Sequence, residues 1–258
     1  MENTLSRMTA AIAERLAGSE PSIYLYGSCT MGDFRPGWSD IDLQVLTQKP
    51  ITPQQADALL HLRQKVPESY PDAIYARACE GSMLSMDAFI SNRPERVVYW
   101  GTSGQRLKEQ HNPDLFGRWL LHHCGRLLHG TDVRKKLPIP TPDMLHTAVA
   151  RHLRALLDYG HGGRSVYTFG WLLDTARGLY TLRHDVVISK TAAGEWALAE
   201  QLCPDEQALQ LALAVRRNPA LLQQEAVLQQ AEALTPAIQA FGAVLRQALE
   251  ARGIAIPD

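Results

Sequence analysis

The chain has 258 residues, 45% of them hydrophobic and 21% charged, which are the proportions of a soluble globular protein and exclude a disordered or fibrous one. Lys and Arg number 26 against 27 Asp and Glu, a formal net charge of −1, so no surplus of positive charge is present to hold a nucleic-acid backbone. No apolar run approaches the roughly 18 residues of a membrane span, and the start, Met1-Glu2-Asn3-Thr4-Leu5, lacks the basic stretch and apolar core of a signal peptide. We expect a cytoplasmic monomer with neither a nucleic-acid nor a membrane partner.

In chain order, residues 3–17 carry Met8, Ile12 and Leu16 at helical spacing and predict an amphipathic helix ending near Gly18. An apolar segment at about 22–26 reads as a strand that breaks at Gly27-Ser28, where a short helix would follow. A second strand is expected at about 40–46. Thr52 is a candidate N-cap and Pro53 a first-turn residue for a helix running to Val66. Alternating residues at Ala73–Cys79 and Met83–Phe89 suggest two further strands. From about Asp114 the texture changes to helical stretches at 114–129, 142–159, 165–184, 190–201, 205–217 and 220–252, the last broken at Pro236. The fold class expected is α+β, with residues 1–110 forming a small mixed sheet with helices and residues 111–258 an all-α bundle.

Cys29, Cys79, Cys124 and Cys203 stand alone, without a Cys-x-x-Cys pair or zinc-ligand spacing, and read as reduced packing residues. The loop Gly160-His161-Gly162-Gly163 could pass for a phosphate cradle. No strand precedes it, however, and a helix C-cap with a connector is the better reading.

The chemistry concentrates between Tyr24 and Leu46. Side chains on a strand alternate faces, so Asp40 and Asp42 project to one side, roughly 7 Å apart, while Ile41, Leu43 and Val45 project to the other. Two carboxylates at that range repel unless a cation or a proton intervenes, and Mg²⁺ is the hard cation such oxygens share. Upstream, Gly27-Ser28 sits where backbone N–H groups and a hydroxyl could hold phosphate oxygens.

Gly27-Ser28-Cys29-Thr30-Met31-Gly32 followed by Ser39-Asp40-Ile41-Asp42-Leu43 resembles the signature of the nucleotidyltransferase superfamily related to DNA polymerase β. That resemblance implies that Ser28 contacts a nucleoside triphosphate and that Asp40 and Asp42 bind Mg²⁺. It also implies a third acidic residue from a later strand, a position that Glu80 fits.

Further along, Leu172 to Leu182, with Asp174 and Arg177, precedes Ile188-Ser189-Lys190 and the run Ala193-Gly194-Glu195-Trp196-Ala197. Ser189 can cap a helix, and Lys190 then lies at its positive end, an unfavourable place for a cation unless an anion sits there. This half is similar to the C-terminal helical domain of the streptomycin/spectinomycin adenylyltransferases, which implies that Arg177, Ser189 and Lys190 serve the nucleotide phosphates.

The resemblances together imply transfer of AMP from ATP, with Mg²⁺, to a hydroxyl of an aminoglycoside or aminocyclitol antibiotic, with Glu80 as proton acceptor or second-metal ligand. Glu95, Asp158 and Asp174 are candidate carboxylates for the ammonium groups of such an acceptor. AMP transfer to a protein side chain, and ATP binding without transfer, are the alternatives.

Overall fold

The computed structural model describes residues 1–69, 74–101, 104–112 and 114–257. These divide into two compact units, one formed by Met1–Phe34 and Ser39–Ile139, the other by Arg35–Trp38 and Pro140–Asp258.

The first unit is built on six strands: β1 (Ser22–Tyr26), β2 (Ile41–Thr47), β3 (Cys79–Ser85), β4 (Val97–Gly101), β5 (Gly104–Lys108) and β6 (Arg126–His129). Their order across the sheet is β5-β4-β3-β2-β1-β6. Among the described residues, only β2 and β3 run parallel. A parallel pair needs a crossover, and α2 (Pro53–Ser69) supplies it. Thr52 and Gln55 start that helix reciprocally, Gln55 N–H donating to Thr52 Oγ1 at 3.2 Å and Thr52 N–H to Gln55 Oε1 at 3.0 Å.

Strand alternation gives the sheet two buried faces. Ile23, Leu25, Ile41, Leu43, Val45, Met83 and Trp100 form one core with Met8 and Ile12 of α1 (Glu2–Arg15) and Leu59 of α2. Tyr24, Leu46, Leu84 and Val97 form the other with Phe89 of α4 (Met86–Ser91) and Leu121 of α5 (Leu115–Cys124). Ile41, Leu43 and Val45 therefore face away from Asp42, as their alternation required.

Several expectations for this half need correction. The stretch assigned to a strand at 73–79 holds the short helix α3 (Ile74–Arg77), with Ala73 outside the described residues, and β3 begins only at Cys79. The strand expected at 83–89 is the end of β3 followed by α4, because Ser85 Oγ accepts from Ala88 N–H and caps a new helix. The helix expected over 114–129 stops at Cys124. The chain then turns extended at Gly125 and pairs with β1 as β6. That pairing keeps residues 111–139 with the sheet, so the units divide at Pro140, inside the Pro138–Pro142 run, and not near 110.

The second unit is helical: α6 (Pro142–Tyr159), α7 (Val166–His184), α8 (Lys190–Ala199), α9 (Glu206–Arg217), α10 (Glu225–Glu232) and α11 (Thr235–Glu250). Helix α7 buries residues around most of its circumference, including Phe169, Leu172, Ala176 and Leu179, as a central helix must. Helices α6, α8, α9 and α11 pack against it. Gly160 closes α6 with its N–H on Leu156 O, the C-cap role expected of the Gly160–Gly163 loop. Trp38, from the short segment belonging to this unit, meets Phe169 at 6.5 Å between ring centroids, and the Arg216 guanidinium lies 5.1 Å from the Trp38 ring. No described helix is long and apolar enough to cross a membrane.

Candidate active site

Three of the expected site residues meet at one end of the central strands. Tyr26 on β1 pairs with Asp42 on β2, and Asp42 with Glu80 on β3, so a phenol and two carboxylates stand in one row across the sheet. Asp40 lies just before β2, and its charge acts together with that of Glu80 on Tyr99 and Arg63.

Gly27 and Ser28 form a 3₁₀ turn, Gly27–Cys29, directly after β1. Gly27 has φ +70°, and a Cβ placed there would overlap the Asp42 carboxylate. Glycine is therefore required twice over, for the left-handed backbone and for the approach of the turn to the carboxylate. The turn holds itself with Thr30 Oγ1 donating to Gly27 O at 3.1 Å.

The surroundings keep the row acidic in net character. Burial pushes the Tyr26 phenol well above its ordinary range, and the charges of Asp42, Asp114 and Glu80 push it further in the same direction. Tyr26 thus stays a neutral hydrogen-bonding group beside the carboxylates. Tyr99 on β4 donates to Glu80 Oε1 at 3.3 Å, and burial followed by the Glu80 charge raises its phenol as well. Lys108 Nζ sits 3.8 Å from the Tyr99 ring centroid. Cys29 is no nucleophile, because burial and then Asp42 push its thiol up to about 11.

A cavity of about 140 Å³ opens beside this row, and its lining includes Asp42, Glu80, Tyr99, His111, Asp114 and Arg118. Asp114 caps α5 by accepting from Phe116 N–H at 3.1 Å. Sequence reasoning did not single out Tyr26, Tyr99, His111, Asp114 or Arg118. Tyr26, Tyr99 and His111 come from separate parts of the chain, and only Asp114 and Arg118, at the start of α5, share a local spacing.

The donor set suits a hard cation. Asp42 and Glu80 supply oxygen ligands in register, and the cradle at Gly27 leaves room beside Asp42 that a side chain would fill. Among the described residues, however, no three His, Cys, Asp or Glu side chains are gathered tightly enough to form a metal cluster.

The second unit carries the remaining expected residues. Ser189 caps α8, its hydroxyl accepting from Ala192 N–H at 3.2 Å, and Lys190 is the first residue of that helix. The anion that the sequence required at this helix end comes from the protein itself. Asp174 on α7 receives Lys190 Nζ at 2.8 Å and Arg177 Nη2 at 2.7 Å. Burial alone would raise the Asp174 carboxyl, but Lys190, Arg177 and His152 together hold it below the ordinary carboxylate range.

The carboxylates considered for an acceptor's ammonium groups are engaged inside the protein. Asp174 holds Lys190 and Arg177, Glu95 accepts from Ser85 N–H at 2.9 Å and Ser85 Oγ at 2.8 Å, and Asp158 receives Arg154 Nε at 3.0 Å. The acidic wall that does face a cavity is Asp42, Glu80 and Asp114.

Residues 7–79 match the nucleotidyltransferase domain, and residues 137–241 match the C-terminal domain of aminoglycoside adenylyltransferase. The chain is a nucleotidyltransferase related to the aminoglycoside adenylyltransferases. Gly27, Ser28, Asp40 and Asp42 fall in the first matched stretch, Glu80 follows it directly, and Arg177, Ser189 and Lys190 fall in the second. Among solved structures, the chain is similar to the spectinomycin adenyltransferase AAD(9) of Enterococcus faecialis, determined with ATP and spectinomycin. The TM-score is 0.74 at 16% identity, covering 95% of this chain and 99% of that one, a likeness of fold. No curated protein matches the chain in sequence.

Proposed function

We propose that the protein transfers AMP from ATP to a hydroxyl of an aminocyclitol or aminoglycoside. The observation that carries this reading is the in-register pair Asp42 and Glu80, with the Gly27 turn pressed against Asp42. The family relationship and the presence of ATP and spectinomycin in the AAD(9) structure support it.

In this reading Asp40 and Asp42 would hold Mg²⁺, which when bound would offset charge on the phosphates. Ser28 and the backbone after Gly27 grip the triphosphate. Glu80, steadied by Tyr99, accepts the proton of the acceptor hydroxyl. The acceptor oxygen bonds to the α-phosphorus as the bond to pyrophosphate breaks. Ser189 caps the helix that presents Lys190, and Lys190 and Arg177 take nucleotide phosphate oxygens. Asp174 positions both cations, accepting a hydrogen bond from Lys190 Nζ and forming an ion pair with Arg177.

The test is mass spectrometry of acceptors after incubation with ATP and Mg²⁺. Spectinomycin, streptomycin or a related aminocyclitol should gain the mass of one adenylyl group. An adduct on protein side chains alone would move the acceptor to a protein, and ATP binding with no adduct would leave a nucleotide-binding regulator.

A further inference from the structure

The cavity beside Asp42 and Glu80 has a second wall that the transfer chemistry does not use. His111 lies between β5 and α5, is only 8% exposed, and stacks on Phe89 at 5.3 Å between centroids. The same Phe89 holds Arg118, whose guanidinium lies 4.2 Å from the ring and whose Nη2 donates to Phe89 O at 2.5 Å. Phe89 thus fixes both groups at the cavity wall.

His111 Nε2 is buried and has no hydrogen-bond partner, and Arg118 Nε is in the same condition. Buried polar atoms are almost always paired, and one left alone is destabilising. Two such atoms beside one cavity mark a place where a polar ligand completes the hydrogen bonding. The same cavity is lined by three carboxylates, Asp42, Glu80 and, beside Arg118, Asp114. The volume, about 140 Å³, holds a few waters or one substituted six-membered ring of a larger acceptor.

We propose that His111 is a specificity-determining residue of the acceptor pocket, where its Nε2 hydrogen-bonds a ring substituent of a compact, amine- and hydroxyl-bearing acceptor with an ammonium group facing Asp114. This rests on the adenylyl-transfer reading for the acceptor's class, and on the cavity alone for the role of His111. Burial, then the Arg118 and Lys108 charges, lower the imidazole to about 4, so at neutral pH it offers a hydrogen bond without repelling a cationic ligand. An arginine or lysine there would repel it.

The test uses spectinomycin as the probe and the full chain. Calorimetric titration should show binding to the unaltered protein. His111→Phe keeps the aromatic stack and should weaken that binding roughly tenfold, the loss of about one hydrogen bond. His111→Gln, which restores a donor and acceptor at a similar reach, should recover to within about threefold, and ATP affinity should be equal in all three. Because His111→Phe could fail to fold, the side-chain signals of ¹⁵N-histidine-labelled protein give a second readout: the His111 resonance should shift on adding spectinomycin and not on adding ATP. Equal spectinomycin affinity in His111→Phe, an unmoved His111 resonance, or no spectinomycin binding by the unaltered protein would each overturn the proposal. AMP transfer to spectinomycin with an unchanged KM in His111→Phe would remove this inference and leave the transfer reading standing. His111-dependent binding without any transfer would do the reverse.

Discussion

Asp42 and Glu80 face one another in register across the parallel strands β2 and β3, and the Gly27 turn closes against the first of them. Parallel pairing requires a long crossover, so residues 38 positions apart in sequence become neighbours only because α2 and α3 return the chain to the same end of the sheet. Asp42→Asn preserves shape and removes charge. Turnover should fall at least about a hundredfold, the scale of losing a principal electrostatic group, while urea denaturation shows little loss of stability. Turnover within a few-fold of the unaltered enzyme would remove Asp42 from the chemistry.

Gly27→Ala tests the turn. The residue sits at φ +70°, where a side chain costs about 1 kcal/mol, and its Cβ would press on the Asp42 carboxylate. A loss of about 1–3 kcal/mol in urea denaturation is expected, together with loss of activity. Unchanged stability would mean that the turn relaxes freely and does not depend on the close approach.

Asp174 is a structural counter-ion to two cations. Asp174→Asn leaves Lys190 and Arg177 side by side without an anion. With only about a fifth of the Asp174 side chain exposed, the cost should be about 1–2 kcal/mol after solvent screening. Its carboxyl is held below its ordinary value, so the native state keeps the charge longer than the unfolded chain does. The stabilisation is therefore fully present above the ordinary carboxylate range, about pH 4–5, and is lost as pH falls below it. Thermal melts of the two proteins should differ near neutrality and converge in acid. A constant gap down to low pH would show that the charge contributes nothing.

His111 adds a second loss of stability on the acid side. The unfolded chain protonates this imidazole below about pH 6.5, whereas the folded protein resists protonation down to about 4, through burial reinforced by Arg118 and Lys108. Protons therefore favour the unfolded state in that window, and stability should drop by about 1–3 kcal/mol as pH falls from 6.5 to 4. Melting temperature against pH should be flatter over that interval in His111→Gln. Parallel curves would mean that His111 titrates normally in the folded protein.

The parts of the site written in local spacing were legible in the sequence. The period of two placed Asp42 opposite Ile41 and Leu43, and Ser189 announced the start of α8, because both patterns act within a few residues. The partner of Lys190 was not legible. The sequence indicated that an anion was needed at that helix end, but Asp174 reaches it from another helix, 16 positions away. Similarly, Glu95 and Asp158 look like available carboxylates in the sequence, and tertiary contacts engage both. Strands β4, β5 and β6 were not legible because sheet pairing, not local alternation, selects short segments such as Arg126–His129. The acidic cavity wall escaped for the same reason, since Asp42, Glu80 and Asp114 come from three elements.

Pyrophosphate release from ATP and Mg²⁺ in the presence of spectinomycin, streptomycin and related aminocyclitols, compared between the unaltered protein and Glu80→Gln, tests the central claim most directly. The account predicts release that requires one of these acceptors and is abolished by Glu80→Gln. Release that Glu80→Gln leaves intact, or no ATP binding by the unaltered protein, would contradict it.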